Sequence, residues 1–209
     1  MSNPPTSQAS TSGQLRRIHA SVALRLLEAL RDRDLPAELL EDEDPSRTMP
    51  RRFGLSDVVD RQIRAFTEDA RKGARLTDDE VRDLFRFVNR RPDGREVFQH
   101  VGRSLAGGNG SPGLTRILPA ALRYAIARSR VRKRLKRLFG RPVGGFARGR
   151  FIIEGRSLLF IESDPGGDAC HLLVGFCEGI FEQVSGETVS VRHSLCQARG
   201  EALCRWEVA

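Results

Sequence analysis

The 209-residue chain is long enough for one or two domains with a hydrophobic core of their own. Apolar residues make up 39% and charged residues 30%, which argues against a disordered chain. No apolar run reaches the roughly 18–20 residues that a membrane span requires, and residues 1–13 lack the apolar core of a secretory signal. These features predict a soluble, cytoplasmic protein.

Four helices are predicted in the N-terminal half, because apolar residues recur there every three to four positions. They span residues 15–33, 56–72, 77–91 and 93–106. Thr77 and Glu80 form the pattern of a capping box at the start of the third. Residues 1–14 are expected to be a disordered lead-in, and residues 15–76 form the predicted N-terminal helical region, in which 34–52 is mostly loop.

The C-terminal half changes from a helical to an extended period. A helix starting near Thr115 is expected to run into a basic stretch and to end before a Gly-rich loop at 140–149. After this loop the pattern predicts a hairpin, one long helix and two further strands. These elements span residues 150–154, 157–162, 169–184, 187–192 and 202–208. Helices followed by a small antiparallel sheet predict an α+β fold.

The net charge of +8 is concentrated in one segment. Residues 97–153 contain 13 Arg or Lys and no Asp or Glu, which leaves 22 basic residues against all 27 acidic ones elsewhere. Within this segment, 128–141 combines eight basic residues with an apolar stripe at helical spacing. Three roles stay open: a solvated outer face, contact with an anionic membrane or acidic partner, and nucleic acid, which is the least favoured.

The four cysteines all lie within the last 40 residues. In a chain without a secretion signal, such clustering favours metal or thiol chemistry over disulfides. Cys170, His193, Cys196 and Cys204 could supply four ligands to a zinc ion, which would leave no open position and make the site structural. The alternative is that these cysteines are ordinary buried apolar residues.

The segment from Cys170 to Val208 resembles the 4-vinyl reductase-type domain family. The family pattern of a Cys, a helix with Gly-aromatic-x-x-Gly, and a later Cys-x3-Gly-x3-Cys is matched by Cys170, Gly175 to Gly179, and Cys196 to Cys204. His193 stands where the family has an acidic residue. The resemblance is strong over 150–209, fainter over 77–139, and implies that 77–209 is one ligand-binding domain.

The resemblance implies a function as well as a fold. The family fold is like that of trafficking-complex subunits and is often dimeric. Its sensor members bind zinc through the acidic residue and three Cys, to which His193, Cys170, Cys196 and Cys204 correspond here. The implied function is binding of a small hydrophobic or aromatic molecule, as a sensor or carrier with a structural zinc. The expected pocket residues are Phe151, Phe160, Phe176, Gly179 and Ile180.

Two other functions stay open. One is a role in tetrapyrrole or bacteriochlorophyll biosynthesis, as a 4-vinyl reductase or substrate carrier, and the other is that of a purely structural assembly subunit. No catalytic residues are predicted, because the sequence has no nucleophile elbow, Walker loop or dinucleotide fingerprint. An enzyme is therefore less favoured than a binding protein. The expected location is the cytoplasm, with peripheral contact to the inner membrane face if 128–141 binds anionic lipid.

Overall fold

The computed structural model describes residues 15–35, 56–107, 114–146, 151–156 and 159–208. Seven α-helices lie in this part of the chain. They are α1 Ser21–Asp34, α2 Asp57–Lys72, α3 Asp78–Asn89, α4 Gly94–Leu105, α5 Ala120–Phe139, α6 Leu159–Ser163 and α7 His171–Ser185. The predicted lead-in at 1–14 and most of the predicted loop at 34–52 lie outside the described residues. None of the described helices is long and apolar enough to cross a membrane.

The strands form two antiparallel sheets in the described part of the chain. They are β1 Ile18–His19, β2 Arg75–Leu76, β3 Gly145–Phe146, β4 Ile152–Gly155, β5 Val191–Leu195 and β6 Cys204–Val208. β1 pairs with β2, and the four-stranded sheet has the order β3-β4-β6-β5. A helical N-terminal half with a small antiparallel sheet after it confirms the predicted α+β fold.

Local capping signals place several helix ends where the sequence predicts them. The side chain of Ser56 accepts a hydrogen bond from the backbone N–H of Val59 at the start of α2. Gly73, with φ of 71°, ends the same helix in the left-handed conformation that glycine adopts most easily. Thr77 and Glu80 form the reciprocal hydrogen bonds of a capping box at the start of α3.

The predicted strand over 157–162 is wrong. In its place lies the short helix α6, in which Leu159 is buried and the hydroxyl of Ser163 donates to the carbonyl of Leu159 at 3.0 Å. The partners of β4 are instead β3, from the predicted Gly-rich loop, and β6. A short apolar run such as this one does not by itself distinguish a buried strand from a helical turn.

The two glycine-bearing helices α4 and α7 cross with their backbones nearly in contact. A Cβ atom at Gly102 of α4 would overlap the carbonyl oxygen of Leu172, and one at Gly175 of α7 would overlap that of Gln99. One turn further along α7, a Cβ at Gly179 would lie 2.7 Å from that of Ala106. Glycine therefore serves here to bring two helices together, at the centre of the core.

A buried carboxylate joins this helix pair to the C-terminal sheet. Glu178 of α7 accepts hydrogen bonds from Gln99 at 2.9 Å and from the guanidinium of Arg103 at 2.8 Å, both on α4. Its other oxygen accepts from the backbone N–H of Val191 at 3.2 Å, where β5 begins. These charge-assisted hydrogen bonds fix the start of β5 against the helices.

The apolar stripe of the basic segment belongs to the core. Val131, Leu135, Leu138 and Phe139 are all buried on the inner face of α5. This face is therefore not available to a bilayer. Contact of the segment with any anionic surface would involve its charged side chains alone.

Candidate metal centre

Four potential metal ligands converge where β5, β6 and the start of α7 meet. Cys170, His193, Cys196 and Cys204, called here the Cys3His cluster, each place one ligand atom within 4.8 Å of the others. The sequence predicted this set, and the structure shows that these residues are positioned to bind a metal. His193, Cys196 and Cys204 are close in the chain, whereas Cys170 lies well before them and is brought to the cluster by the fold.

A β-bulge explains how His193 and Cys196 reach the same side of the sheet. Side chains three apart in a regular strand point to opposite faces. Here His193 lies opposite Trp206 and Leu195 lies opposite Arg205, so β5 holds one extra residue between them. The next residue, Cys196, returns to the face that carries His193 and Cys204.

The sulfur spacing suits a tetrahedral ion. The Sγ atoms of Cys170 and Cys204 are 4.0 Å apart. Zn–S bonds of about 2.3 Å at the tetrahedral angle place two sulfurs about 3.8 Å apart. Zinc would therefore need only a few tenths of an ångström of adjustment between these two residues.

The imidazole of His193 is held in place but has no hydrogen-bond partner. Its ring stacks on that of Trp206 with centroids 5.0 Å apart and planes 12° apart. Both ring nitrogens are buried, and neither has a partner with hydrogen-bond distance and angle in the described part of the chain, although His193 lies close enough to Cys204 to help lower the pKa of that thiol. Buried polar atoms nearly always have a partner, so this imidazole fits a metal ligand better than a core residue.

The three thiols of the cluster are buried and influence one another. A hydrogen bond from the Cys170 thiol is the largest cause that lowers the pKa of Cys204, and His193 and the backbone N–H of Gln197 act in the same direction. The same pairing and burial raise the pKa of Cys170 far above its usual value. Burial is also the largest cause that raises the pKa of Cys196. Of the three thiols, Cys204 is therefore the one that this environment predisposes to ionise, and a metal ion that binds here would release the protons of the cysteines to solvent.

Neighbouring groups support a charged sulfur at this place. The backbone N–H of Gln197 donates to Sγ of Cys204 at 3.3 Å. The indole N–H of Trp206 donates to the carbonyl of Cys170 at 3.1 Å, which ties β6 to the start of α7. A Cβ atom at Gly167 would lie 2.6 Å from Sγ of Cys196, so only glycine leaves room for that sulfur. Outer contacts of this kind orient metal ligands.

Sequence reasoning did not identify Trp206, although a signal for it existed. Trp206 is two residues from Cys204 and therefore shares its face of β6. The roles of Gln197 and Gly167 depend on the folded backbone, and no pattern in the sequence marks them.

The predicted pocket residues lie in the core. Phe151, Phe176 and Ile180 are buried. Gly179 faces Arg103 of α4 and Ala106, the residue that follows this helix, so the close approach expected at this glycine is made by another helix. The side chain of Phe160 lies outside the described part of the chain. A ligand pocket among these residues stays a prediction.

Comparison with protein-family models, with curated proteins and with solved structures finds no match for this chain.

Proposed function

We propose that this protein is a binding module for a small hydrophobic or aromatic molecule, with a structural zinc ion in the Cys3His cluster. The observation that carries the zinc proposal is the buried, unpartnered imidazole of His193 among three buried cysteines. Three thiolates and one imidazole form a donor set that zinc prefers in tetrahedral geometry. Four protein ligands leave no position for substrate, which supports a structural role.

Zinc content is the first test. Protein purified without a metal-affinity tag should contain one zinc per chain by elemental analysis, because the four ligands come from a single chain. A His193→Ala variant should lose most of that zinc, whereas His100→Ala, on α4 and outside the cluster, should keep it. Folded protein that carries no zinc, or iron in its place, would contradict the assignment.

A chain of aromatic rings supports the choice of ligand class. The rings of Phe151 and Phe181 meet edge to face at 4.4 Å in the core. Phe146 contacts Phe151 at 5.7 Å and Tyr124 contacts Phe181 at 5.6 Å. Because Phe146 and Tyr124 are only partly buried, the chain of rings extends from the core to the surface. Planar aromatic molecules favour such edge-to-face surroundings.

Ligand binding can be measured through thermal stability. We expect phenol or protoporphyrin IX to raise the melting temperature, since a ligand at about 100 times its Kd stabilises the folded state by about 2.7 kcal/mol. Phe146→Leu should reduce the shift because it removes one of the two partly buried rings at the ends of this chain of rings. Phe66→Leu is the matched control, a partly buried Phe on α2 outside the cluster. No shift with either probe, or equal loss in both variants, would contradict the proposal.

A further inference from the structure

A second feature, remote from the Cys3His cluster in sequence, is a cleft between α1, α4 and α5. It has a volume of about 350 Å³, within the range of small-molecule sites. The polar residues that line it are His19, Ser21, Arg25, Ser104, Arg134 and Arg137. We refer to it as the basic cleft.

The positive charge of the basic cleft is not neutralised by the described residues. Arg134 and Arg137 lie three apart on α5, and no described carboxylate forms an ion pair with either guanidinium. The whole segment 97–153 contains no acidic residue. Arg25 does have a partner, since it contacts Glu28 at 2.6 Å. Among the described residues, these two neighbouring cations therefore share the cleft without an acidic partner.

The surroundings of Arg134 make this arrangement costly. Its guanidinium lies against Gly107, where a Cβ atom would overlap it. Burial, and then the like charge of Arg137, lower the pKa of Arg134. A bound anion would offset both the burial of the Arg134 charge and its repulsion from Arg137. It would replace the lost hydration of the guanidinium and attract both cations.

The remaining polar lining groups add no negative charge, and Ser104 supplies a hydroxyl. The Ser21 hydroxyl lies 2.9 Å from Nδ1 of His19, which also accepts from the backbone N–H of Ser21, so the Ser21 hydroxyl donates to His19. Burial is the main cause that lowers the pKa of His19, followed by Arg75 and Arg137. The cleft also opens at the N-terminus of α1, whose first turn holds no acidic residue and whose dipole favours an anion.

We propose that the basic cleft binds a phosphate group, with Arg134 and Arg137 as its charged ligands. Guanidinium groups match the oxygen geometry of phosphate, and a tetrahedral anion can also accept from the hydroxyl of Ser104. The group can belong to a soluble phosphorylated molecule or to a phosphomonoester lipid headgroup. Both present the same anion to the cleft, and the experiment separates them.

The test uses the full chain and two probes at constant ionic strength. Inorganic phosphate is titrated calorimetrically, with an expected Kd of about 1 mM or below. Phosphatidylcholine vesicles with and without phosphatidic acid are used in a co-sedimentation assay. The test variant carries Arg134→Gln and Arg137→Gln together. The control is Arg130→Gln, at an exposed residue of α5 outside the cleft. Thermal melting checks that every variant is folded.

Saturable phosphate binding whose affinity falls at least about tenfold in the double variant, but not in Arg130→Gln, supports a site for the phosphate group of a soluble molecule. Binding only to vesicles that contain phosphatidic acid, with the same dependence on Arg134 and Arg137, supports a site for the phosphate group of a lipid headgroup. Absence of binding to both probes overturns the proposal. Equal weakening by Arg130→Gln also overturns it, because a general effect of surface charge on α5 would then explain the binding.

Discussion

Replacing Cys204 with serine is expected to release the metal and to destabilise the protein by about 5 kcal/mol or more. Cys204 is the first residue of β6, and its sulfur lies 4.0 Å from that of Cys170, so an ion bound by both would join β6 to the start of α7. In a structural site the free energy of metal binding is also free energy of folding. The measurement is a denaturant titration of the variant alongside elemental analysis.

Cys177→Ser is the matched control for this experiment. Cys177 is also a fully buried cysteine, but it lies on α7 outside the Cys3His cluster. Its replacement should cost about 1–3 kcal/mol, because a hydroxyl is buried in apolar surroundings, while the metal content stays unchanged. If Cys204→Ser keeps its metal, or if the two variants lose the same stability, the metal does not hold the two elements together.

The Cys3His cluster could be predicted from the sequence because ligand chemistry depends on residue type and approximate spacing. His193 and Cys196 are close in the chain, and Cys204 follows at a distance that a short turn can close. The bulge that turns both side chains to one face could not be predicted, because it depends on the register between β5 and β6. The stacking of the His193 ring on that of Trp206 depends on the same register.

Helix ends could be predicted where the capping residues are close in the chain. Strands could not be predicted where their pairing residues are distant in the chain. The caps at Ser56 and Thr77 involve residues three apart. By contrast, Ile18 of β1 pairs with Leu76, and no local pattern announces such a contact. The segment 157–162 has apolar residues that suit both strand and helix, and tertiary packing decides between them.

The neighbour of a helical glycine likewise cannot be known before the fold. The sequence shows that Gly175 and Gly179 keep one face of α7 small, which suits either a ligand or another backbone. In the structure both glycines face α4. This result moves the expected ligand contacts away from Gly179 and towards the aromatic rings beside α5.

The contact between α4 and α7 gives the last prediction, which concerns Gly175→Ala. Alanine in place of glycine favours a helix by about 1 kcal/mol, so propensity alone predicts a more stable protein. The added Cβ would overlap the backbone carbonyl of Gln99, and two buried helices would have to separate to accommodate it. Overpacking of this kind costs about 3 kcal/mol, at the upper end of its usual range, because a backbone cannot rotate away as a side chain can.

We therefore expect Gly175→Ala to lose about 2 kcal/mol and to melt about 4–8 °C lower than the parent protein. Gly145→Ala, in β3, is the control, because nothing lies within 4 Å of its added Cβ and stability should change by less than about 0.5 kcal/mol. Calorimetry of both variants decides between the two effects. A melting temperature for Gly175→Ala at or above that of the parent would mean that helix propensity dominates, and that the backbones of α4 and α7 are not in the contact described above.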